Sequence, residues 1–297
     1  MSAKMRTTVD LEGPVHVERL GAGPPLLLLH GLGSSHVHWL GVAPALARHH
    51  RVHILDLPGF GLSPLARRSP ELIPANRLVA AYLDRLRQPA VLVGNSMGAL
   101  IALLVAARER PARVAALAMV ALPAPRPLRT PLERDLLLLF SAYAWPGLGE
   151  LTRDLWVRLK GPDGLSRNLL EVCCSTADAV SPEVVEAARR LARERPHDDE
   201  VHAFLAAYRS TWTYLLNGRR FDSLLRAVQA PALVIHGGRD RLVPPLVSRR
   251  VARVRPDWTH LEFEHAGHMP QLDEPDRFVA ALEGWLDGLE ERHQAAI

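Results

Sequence analysis

A serine lies between two glycines in the run Gly94-Asn95-Ser96-Met97-Gly98, where an apolar strand gives way to an apolar helix. This Gly-x-Ser-x-Gly pattern is informative in a strand-turn-helix setting, because the sharp turn exposes the hydroxyl and glycines let strand and helix approach closely. The N-terminus of the helix also presents free backbone N–H groups to an oxyanion. The pattern predicts that Ser96 is a nucleophile. A glycine-flanked serine that only caps the helix is the alternative.

A serine hydroxyl is a weak nucleophile at neutral pH and needs a histidine base whose tautomer is fixed by a carboxylate. Asp240 ends a glycine-rich loop after the predicted strand 232–236, whereas the loop after Val120 contains no acid. His268 follows the last predicted strand in a Gly-His-Met-Pro loop. We therefore expect Asp240 to orient His268, and His268 to act as the base. His265 is the alternative base.

Short apolar runs alternate with amphipathic segments up to Val120 and again after residue 230. Such strand-helix repetition predicts an α/β fold with a mostly parallel sheet that is covered on both faces. The predicted strands are Val15–Leu20, Leu26–His30, Val52–Asp56, Ala90–Gly94, Val114–Val120, Ala232–His236 and Thr259–Phe263.

A proline-rich run at residues 123–127 ends this alternation of strands and helices, and the block that follows has helical signals but no strand pattern. Ser181-Pro182 predicts a helix start, and Asn217-Gly218 predicts the end of a helix that begins near Asp198. We therefore expect residues 1–123 and 230–297 to form the core domain. Residues 124–229 are expected to form a helical cap inserted into it.

Composition narrows the range of functions. The chain has 297 residues, a net charge of +4, 48% hydrophobic residues and 23% charged residues, which is typical of a globular protein. Neither a nucleic-acid motif nor an apolar run long enough to cross a membrane is apparent, so we expect no nucleic-acid partner and no stable membrane insertion. The adjacent Cys173 and Cys174 favour reduced thiols and a cytoplasmic protein. No metal or cofactor is expected, and the oligomeric state stays open.

Four segments together closely resemble the α/β-hydrolase superfamily over essentially the whole chain apart from the cap. They are His30-Gly31-Leu32-Gly33, Gly94-Asn95-Ser96-Met97-Gly98, Gly238-Arg239-Asp240 and Gly267-His268. The order Ser, Asp, His along the chain agrees with this fold. The resemblance implies that the backbone N–H groups of Leu32 and Met97 form the oxyanion hole. The segment 56–63 resembles a scaffold loop of the family, and Asp56 receives no catalytic role.

The preferred function is hydrolysis of a carboxylic ester, a thioester or a lactone. Dehalogenases and epoxide hydrolases of this fold use an aspartate nucleophile, which Ser96 argues against. Carbon–carbon bond hydrolases of ring-cleavage diketones often carry Trp after the catalytic His, where this chain has Met269. That activity remains an alternative, as does a non-catalytic ligand receptor on the same fold.

The expected partner is a small-molecule substrate. We expect Met269, Val243, Trp145 and Trp212 to contribute to its pocket, although aromatic residues at helical spacing often belong to a core instead. Because Met97, Met269, Leu32 and Val243, which flank the predicted triad, carry no charge, we expect small, neutral, apolar esters. Arginines of the cap are the alternative source of a charged contact.

Overall fold

The computed structural model describes residues 5–125, 134–176, 178, 180–194 and 197–295. Within these residues, eight strands form one sheet. They are β1 (Met5–Asp10), β2 (Pro14–Leu20), β3 (Pro25–Leu29), β4 (Arg51–Leu55), β5 (Ala90–Asn95), β6 (Val114–Val120), β7 (Ala232–Gly237) and β8 (Thr259–Phe263). The spatial order is β1-β2-β4-β3-β5-β6-β7-β8. The first two pairings are antiparallel and the others parallel, which confirms the predicted α/β class.

Helices pack on both faces of this sheet. The α-helices of the described residues, including those of the block between β6 and β7, are α1 (Ala43–Leu46), α2 (Leu72–Asp84), α3 (Met97–Leu104), α4 (Arg134–Ala144), α5 (Leu148–Cys173), α6 (Pro182–Glu194), α7 (His197–Leu215), α8 (Gly218–Ala227), α9 (Pro245–Val254), α10 (Pro270–Asp273) and α11 (Pro275–Ala295). Alternate side chains of β3 point to opposite faces. Leu27 and Leu29 join the cluster under α2, α3, α8 and α9, whereas Leu26 and Leu28 join the cluster with α1 and α11.

The edge strand β1 is absent from the sequence-based prediction. In its sequence Met-Arg-Thr-Thr-Val-Asp, Val9 is the one buried residue, so there was little apolar signal to detect. Its pairing with β2 at one edge of the sheet supplies the stabilising hydrogen bonds.

The helical block between β6 and β7 contains α4 to α8 within its described residues. The predicted start at Pro182 agrees with α6. The predicted helix that begins near Asp198 and ends at Asn217-Gly218 agrees with α7, which ends at Leu215, but the Asn217 side chain also caps the next helix, α8, by accepting a hydrogen bond from Arg220 N. Asparagine suits both kinds of helix end, so its identity alone does not distinguish them.

The long helix α5 changes direction in its middle. Gly161 has φ 65° and ψ 176°, and Pro162 follows it, so the hydrogen-bond ladder breaks between two helical pieces. The second piece runs on to Cys173, which brings its end to the loop after β8. None of the helices in the described part of the chain combines the length and the apolar character that a membrane crossing requires.

Candidate active site

Ser96 occupies a strained turn between β5 and α3. Its backbone has φ 52° and ψ −117°, outside the regions that ordinary residues adopt. Packing enforces this turn: a Cβ on Gly94 would lie 2.3 Å from Gly98 O, and one on Gly98 would lie 2.3 Å from Leu29 O. The Ser96 N–H donates to Val120 O at 2.8 Å, which fixes the turn to the neighbouring strand. Strain of this kind, held by its surroundings, is typical of functional sites.

His268 and Asp240 form a buried pair after the neighbouring strands β8 and β7. The distance from His268 Nδ1 to Asp240 Oδ2 is 2.8 Å, and the two residues are only 4% and 5% exposed. Asp240 Oδ1 also accepts from the backbone N–H groups of Leu242 and Val243, at 2.9 and 2.8 Å. These contacts fix the carboxylate, so that His268 donates through Nδ1 and leaves Nε2 as a proton acceptor.

The loop that carries His268 is held from three directions. Cys173 O, at the end of α5, accepts from His268 N at 2.6 Å. The Asn95 side chain donates to His268 O at 3.0 Å. The Asp273 carboxylate accepts from Gly267 N at 2.7 Å and also from Ser175 N, so it ties this loop to the end of α5.

The segment that contains Leu32 passes beside the turn at Ser96. A Cβ on Gly31 would lie 3.2 Å from Ser96 Cβ, so the backbone directly before Leu32 touches the candidate nucleophile. Met97 is the first residue of α3, where backbone N–H groups have no partner inside the helix. Gly31, directly before Leu32, and Met97 therefore adjoin Ser96, and Leu32 lines the same cavity.

Ser96, Leu32, Met97 and His268 line one cavity of about 320 Å³. This volume is within the range of small-molecule sites. The inner faces of α4, α5 and α7 supply most of the opposite wall, which is largely apolar. Examples are Leu136, Phe140, Val157, Leu169, Phe204 and Tyr208.

Three of the four predicted pocket residues, Val243, Met269 and Trp212, line this cavity. The prediction for Trp145 is wrong. This side chain follows the end of α4, is 68% exposed and is not among the lining residues, because the chain turns toward solvent there. The alternative base His265 is also exposed and lies 3.4 Å from Arg239 rather than beside Ser96.

Two arginines of the helical block between β6 and β7 line the cavity, Arg153 and Arg193. Arg153 Nη2 lies 3.2 Å from Glu200 Oε1, and its guanidinium stacks 4.6 Å from the Phe204 ring centre. Arg193 forms a two-pronged ion pair with Asp163. Both positive charges are thus already balanced by carboxylates.

His38 and Ser34 add a polar group to the cavity wall that sequence reasoning did not find. The Ser34 hydroxyl lies 2.8 Å from His38 Nδ1. Burial, together with the nearby His30, lowers the pKa of His38 to about 4, so its ring is neutral at pH 7. His38 therefore contributes hydrogen bonding to the wall without adding charge.

The two cysteines are unpaired and buried. Burial raises the pKa of both thiols, so neither is a thiolate at neutral pH. The contribution of Cys173 to the site is its backbone carbonyl, which no side-chain pattern in the sequence could indicate.

The fold and site define a serine hydrolase architecture, and comparison with known proteins agrees. Residues 24–275 match the alpha/beta hydrolase fold family, so the chain belongs to this family. It is 31% identical over 281 residues to the pimeloyl-(acyl-carrier protein) methyl ester esterase of Aeromonas hydrophila subsp. hydrophila, covering 92% of this chain and 99% of the relative. The enzyme of the same name from Chromobacterium violaceum is 31% identical, with 91% and 97% covered.

Among solved structures, a thermophilic esterase from Thermogutta terrifontis superposes with a TM-score of 0.70 at 25% identity, covering 97% of this chain and 99% of that one. The predicted superfamily is confirmed by these comparisons. The prediction of a carboxylic-ester hydrolase is confirmed as well.

The contact between Gly267 and the end of α5 leads to a testable prediction. A Cβ on Gly267 would lie 2.6 Å from Cys173 O, so Gly267→Ala must displace the loop that carries His268. We expect kcat to fall by about 100-fold, since a shift of about 1 Å at a catalytic group has that effect.

Gly284→Ala, in α11, is the matched control because no atom lies within 4 Å of the added methyl. It should keep wild-type kcat and raise the free energy of unfolding by about 0.5–1 kcal/mol. Steady-state kinetics and urea unfolding measure both effects. Wild-type kcat in Gly267→Ala would contradict the proposed role of this contact.

Proposed function

We propose that the protein hydrolyses esters of an apolar acyl group with a small alcohol, through an acyl-enzyme formed on Ser96. His268 is the general base and Asp240 orients it. The observation that carries the proposal is the buried Asp240–His268 hydrogen bond of 2.8 Å in the same site as the strained Ser96 turn. A serine that only caps a helix has no need of either feature.

In the proposed reaction, Ser96 Oγ attacks the ester carbonyl carbon while its proton moves to His268 Nε2. The carbonyl oxygen becomes an oxyanion that accepts hydrogen bonds from the Leu32 and Met97 N–H groups. Collapse of this intermediate breaks the bond to the alcohol, which leaves with the proton from His268. Water, deprotonated by His268, then attacks the acyl-enzyme and releases the acid and free Ser96.

The cavity wall supports a neutral, apolar acyl chain as the substrate portion near Ser96. Since Arg153 and Arg193 are paired with Glu200 and Asp163, a free carboxylate on the substrate would have to displace an ion pair. A methyl ester conceals such a carboxylate. The names of the relatives, methyl ester esterases of an acyl chain on a carrier protein, suggest a carrier-bound methyl ester for this chain too.

We also propose that residues 124–229 act as a cap over residues 1–123 and 230–297. The cap supplies the apolar wall through α4, α5 and α7 and excludes water from the acyl-enzyme. A cytoplasmic location is part of the proposal, supported by the two unpaired thiols.

Replacing Asp240 tests the assignment of the carboxylate. Asp240→Asn should preserve the fold but lower kcat by roughly 10⁴-fold, because the amide no longer accepts from Nδ1 and the wrong imidazole tautomer is favoured. The matched control is Asp257→Asn, which changes an exposed carboxylate paired with Arg255 and should keep wild-type kcat. Circular dichroism checks the fold. A near-native rate in Asp240→Asn would assign the orienting role to a different carboxylate.

Substrate preference tests the charge argument. We expect the dimethyl ester of a medium-length dicarboxylic acid to have about tenfold or more higher kcat/KM than its monomethyl ester, whose free carboxylate must enter an apolar cavity. Ser96→Ala should abolish turnover of both esters. Higher kcat/KM for the monomethyl ester would contradict the charge argument. A vinylogous diketone that is cleaved faster than every ester would instead move the activity to carbon–carbon bond hydrolysis.

A further inference from the structure

A second group of chemistry-bearing side chains lies outside the cavity. His16 and Glu18 project from β2, and His36 lies on the short 3-10 turn His36–Trp39. One ligand atom from each lies within 4.8 Å of the other two, and all three residues are buried. Glu18 Oε1 is 3.6 Å from His36 Nε2 and 3.8 Å from His16 Nε2. The hydrolytic reaction proposed for Ser96 uses none of them.

The orientation of His36 is fixed by a neighbouring carboxylate. Asp56 Oδ2 accepts from His36 Nδ1 at 2.7 Å, and Asp56 Oδ1 accepts from the backbone N–H of His36 at 2.6 Å. With Nδ1 protonated, Nε2 carries the lone pair and faces Glu18. A carboxylate bound to the far nitrogen of an imidazole in this way is the usual outer partner of a metal-binding histidine.

His16 supplies an independent observation. Its side chain is only 9% exposed, and its Nε2 faces Glu18 without a hydrogen bond to any residue that the structure describes. A buried nitrogen without a hydrogen bond lowers the free energy of unfolding unless another group binds it. A metal ion between His16, Glu18 and His36 would use this nitrogen as a ligand.

We propose that His16 Nε2, His36 Nε2 and the Glu18 carboxylate bind a divalent transition-metal ion, with Zn²⁺ as the best match. Two imidazoles and one carboxylate form a known three-residue ligand set for zinc. Ligands about 2.1 Å from a tetrahedral ion are about 3.4 Å from one another. The two separations from Glu18, 3.6 and 3.8 Å, therefore need to close by only a few tenths of an ångström. The two imidazole nitrogens lie within 4.8 Å of each other and need to approach by at most about 1.4 Å.

Arg6 is the competing cation at this position. Its Nε lies 3.3 Å from Glu18 Oε1, but its side chain is 53% exposed. The arginine can therefore turn into solvent when an ion binds, because the ion then supplies the positive charge that the buried Glu18 carboxylate requires. The ion would then balance Glu18 together with the neighbouring Asp56.

The proposed ion has a structural role. None of the three ligands lines the active-site cavity. Binding joins β2 to the turn at His36, four residues after Leu32 in the segment that passes Ser96. Zinc should therefore raise the melting temperature without being needed for ester hydrolysis, and Ser96→Ala should bind it as well as the wild type does.

The direct test is a crystal of chelator-treated, full-length protein soaked with Zn²⁺ and measured on both sides of the zinc absorption edge. We expect an anomalous peak between His16, His36 and Glu18. Peaks found only at other positions, or none, would overturn the proposal. This measurement needs no variant, so it stands even if a substitution in the cluster prevents folding.

Titration of Zn²⁺ against a chromophoric chelator measures affinity in solution. Wild type should bind one equivalent, and His16→Gln should weaken this site by roughly 100-fold or more, since changes to even the outer partners cost 10–100-fold. The matched control is His53→Gln, a buried histidine on the adjacent strand β4 whose Nδ1 contacts the Tyr82 hydroxyl. Equal affinity in His16→Gln and wild type would overturn the proposal.

Discussion

The hydrogen bond between Asp240 and His268 joins the loops that follow two neighbouring parallel strands, and it requires those loops to touch. Their backbones approach so closely that a Cβ on Gly237 would lie 1.9 Å from Gly267 O, and one on Gly238 would lie 2.6 Å from Glu264 O. Glycine at these positions is therefore a condition for the 2.8 Å contact between carboxylate and imidazole. Parallel pairing of β7 and β8 brings both loops to the same edge of the sheet.

Ser96 lies at the same edge of the sheet, at the end of β5, which is two strands away from β7 in the spatial order. Asn95, directly before Ser96, spans this gap by donating to His268 O, so the turn and the histidine loop are fixed to each other. The site is thus held rigid by close contacts between backbone segments and by the hydrogen bond of the buried Asn95 side-chain amide. Few of these contacts involve the reacting groups themselves, which leaves those groups available for substrate.

The helical insertion also helps to fix the loop that carries His268. Cys173 O, at the end of α5, accepts a hydrogen bond from the N–H of His268. The carboxylate of Asp273 accepts from Gly267 N in the histidine loop and from Ser175 N just after α5. Movement of α5 would therefore change both the cavity wall and the position of His268, the proposed base. Because α5 is interrupted at Gly161, its first piece can differ in direction from the piece that holds the histidine loop.

Local patterns were sufficient to predict the fold class and to nominate Ser96, Asp240 and His268. Ser96 and Asp240 follow buried apolar runs, which are visible in sequence, and His268 was nominated from its Gly-His-Met-Pro loop after the last predicted strand. The supporting contacts were not predictable, because they join distant positions: Asn95 and His268 are 173 residues apart, and Cys173 acts through its backbone. The cluster of His16, Glu18 and His36 forms only when β2 packs beside the loop after β3. The pocket prediction for Trp145 failed for another reason: the sequence of a helical block does not show whether a given aromatic side chain faces the cavity or solvent.

The most direct test of a covalent serine mechanism is rapid-quench mass spectrometry of the wild-type protein during turnover of an activated ester. Acylation of Ser96 predicts a burst of released alcohol and a protein mass increased by the acyl group in place of one hydrogen. Peptide mapping should place this adduct on the peptide that contains Ser96. An adduct on another side chain, or a full burst without any protein adduct, would contradict the account.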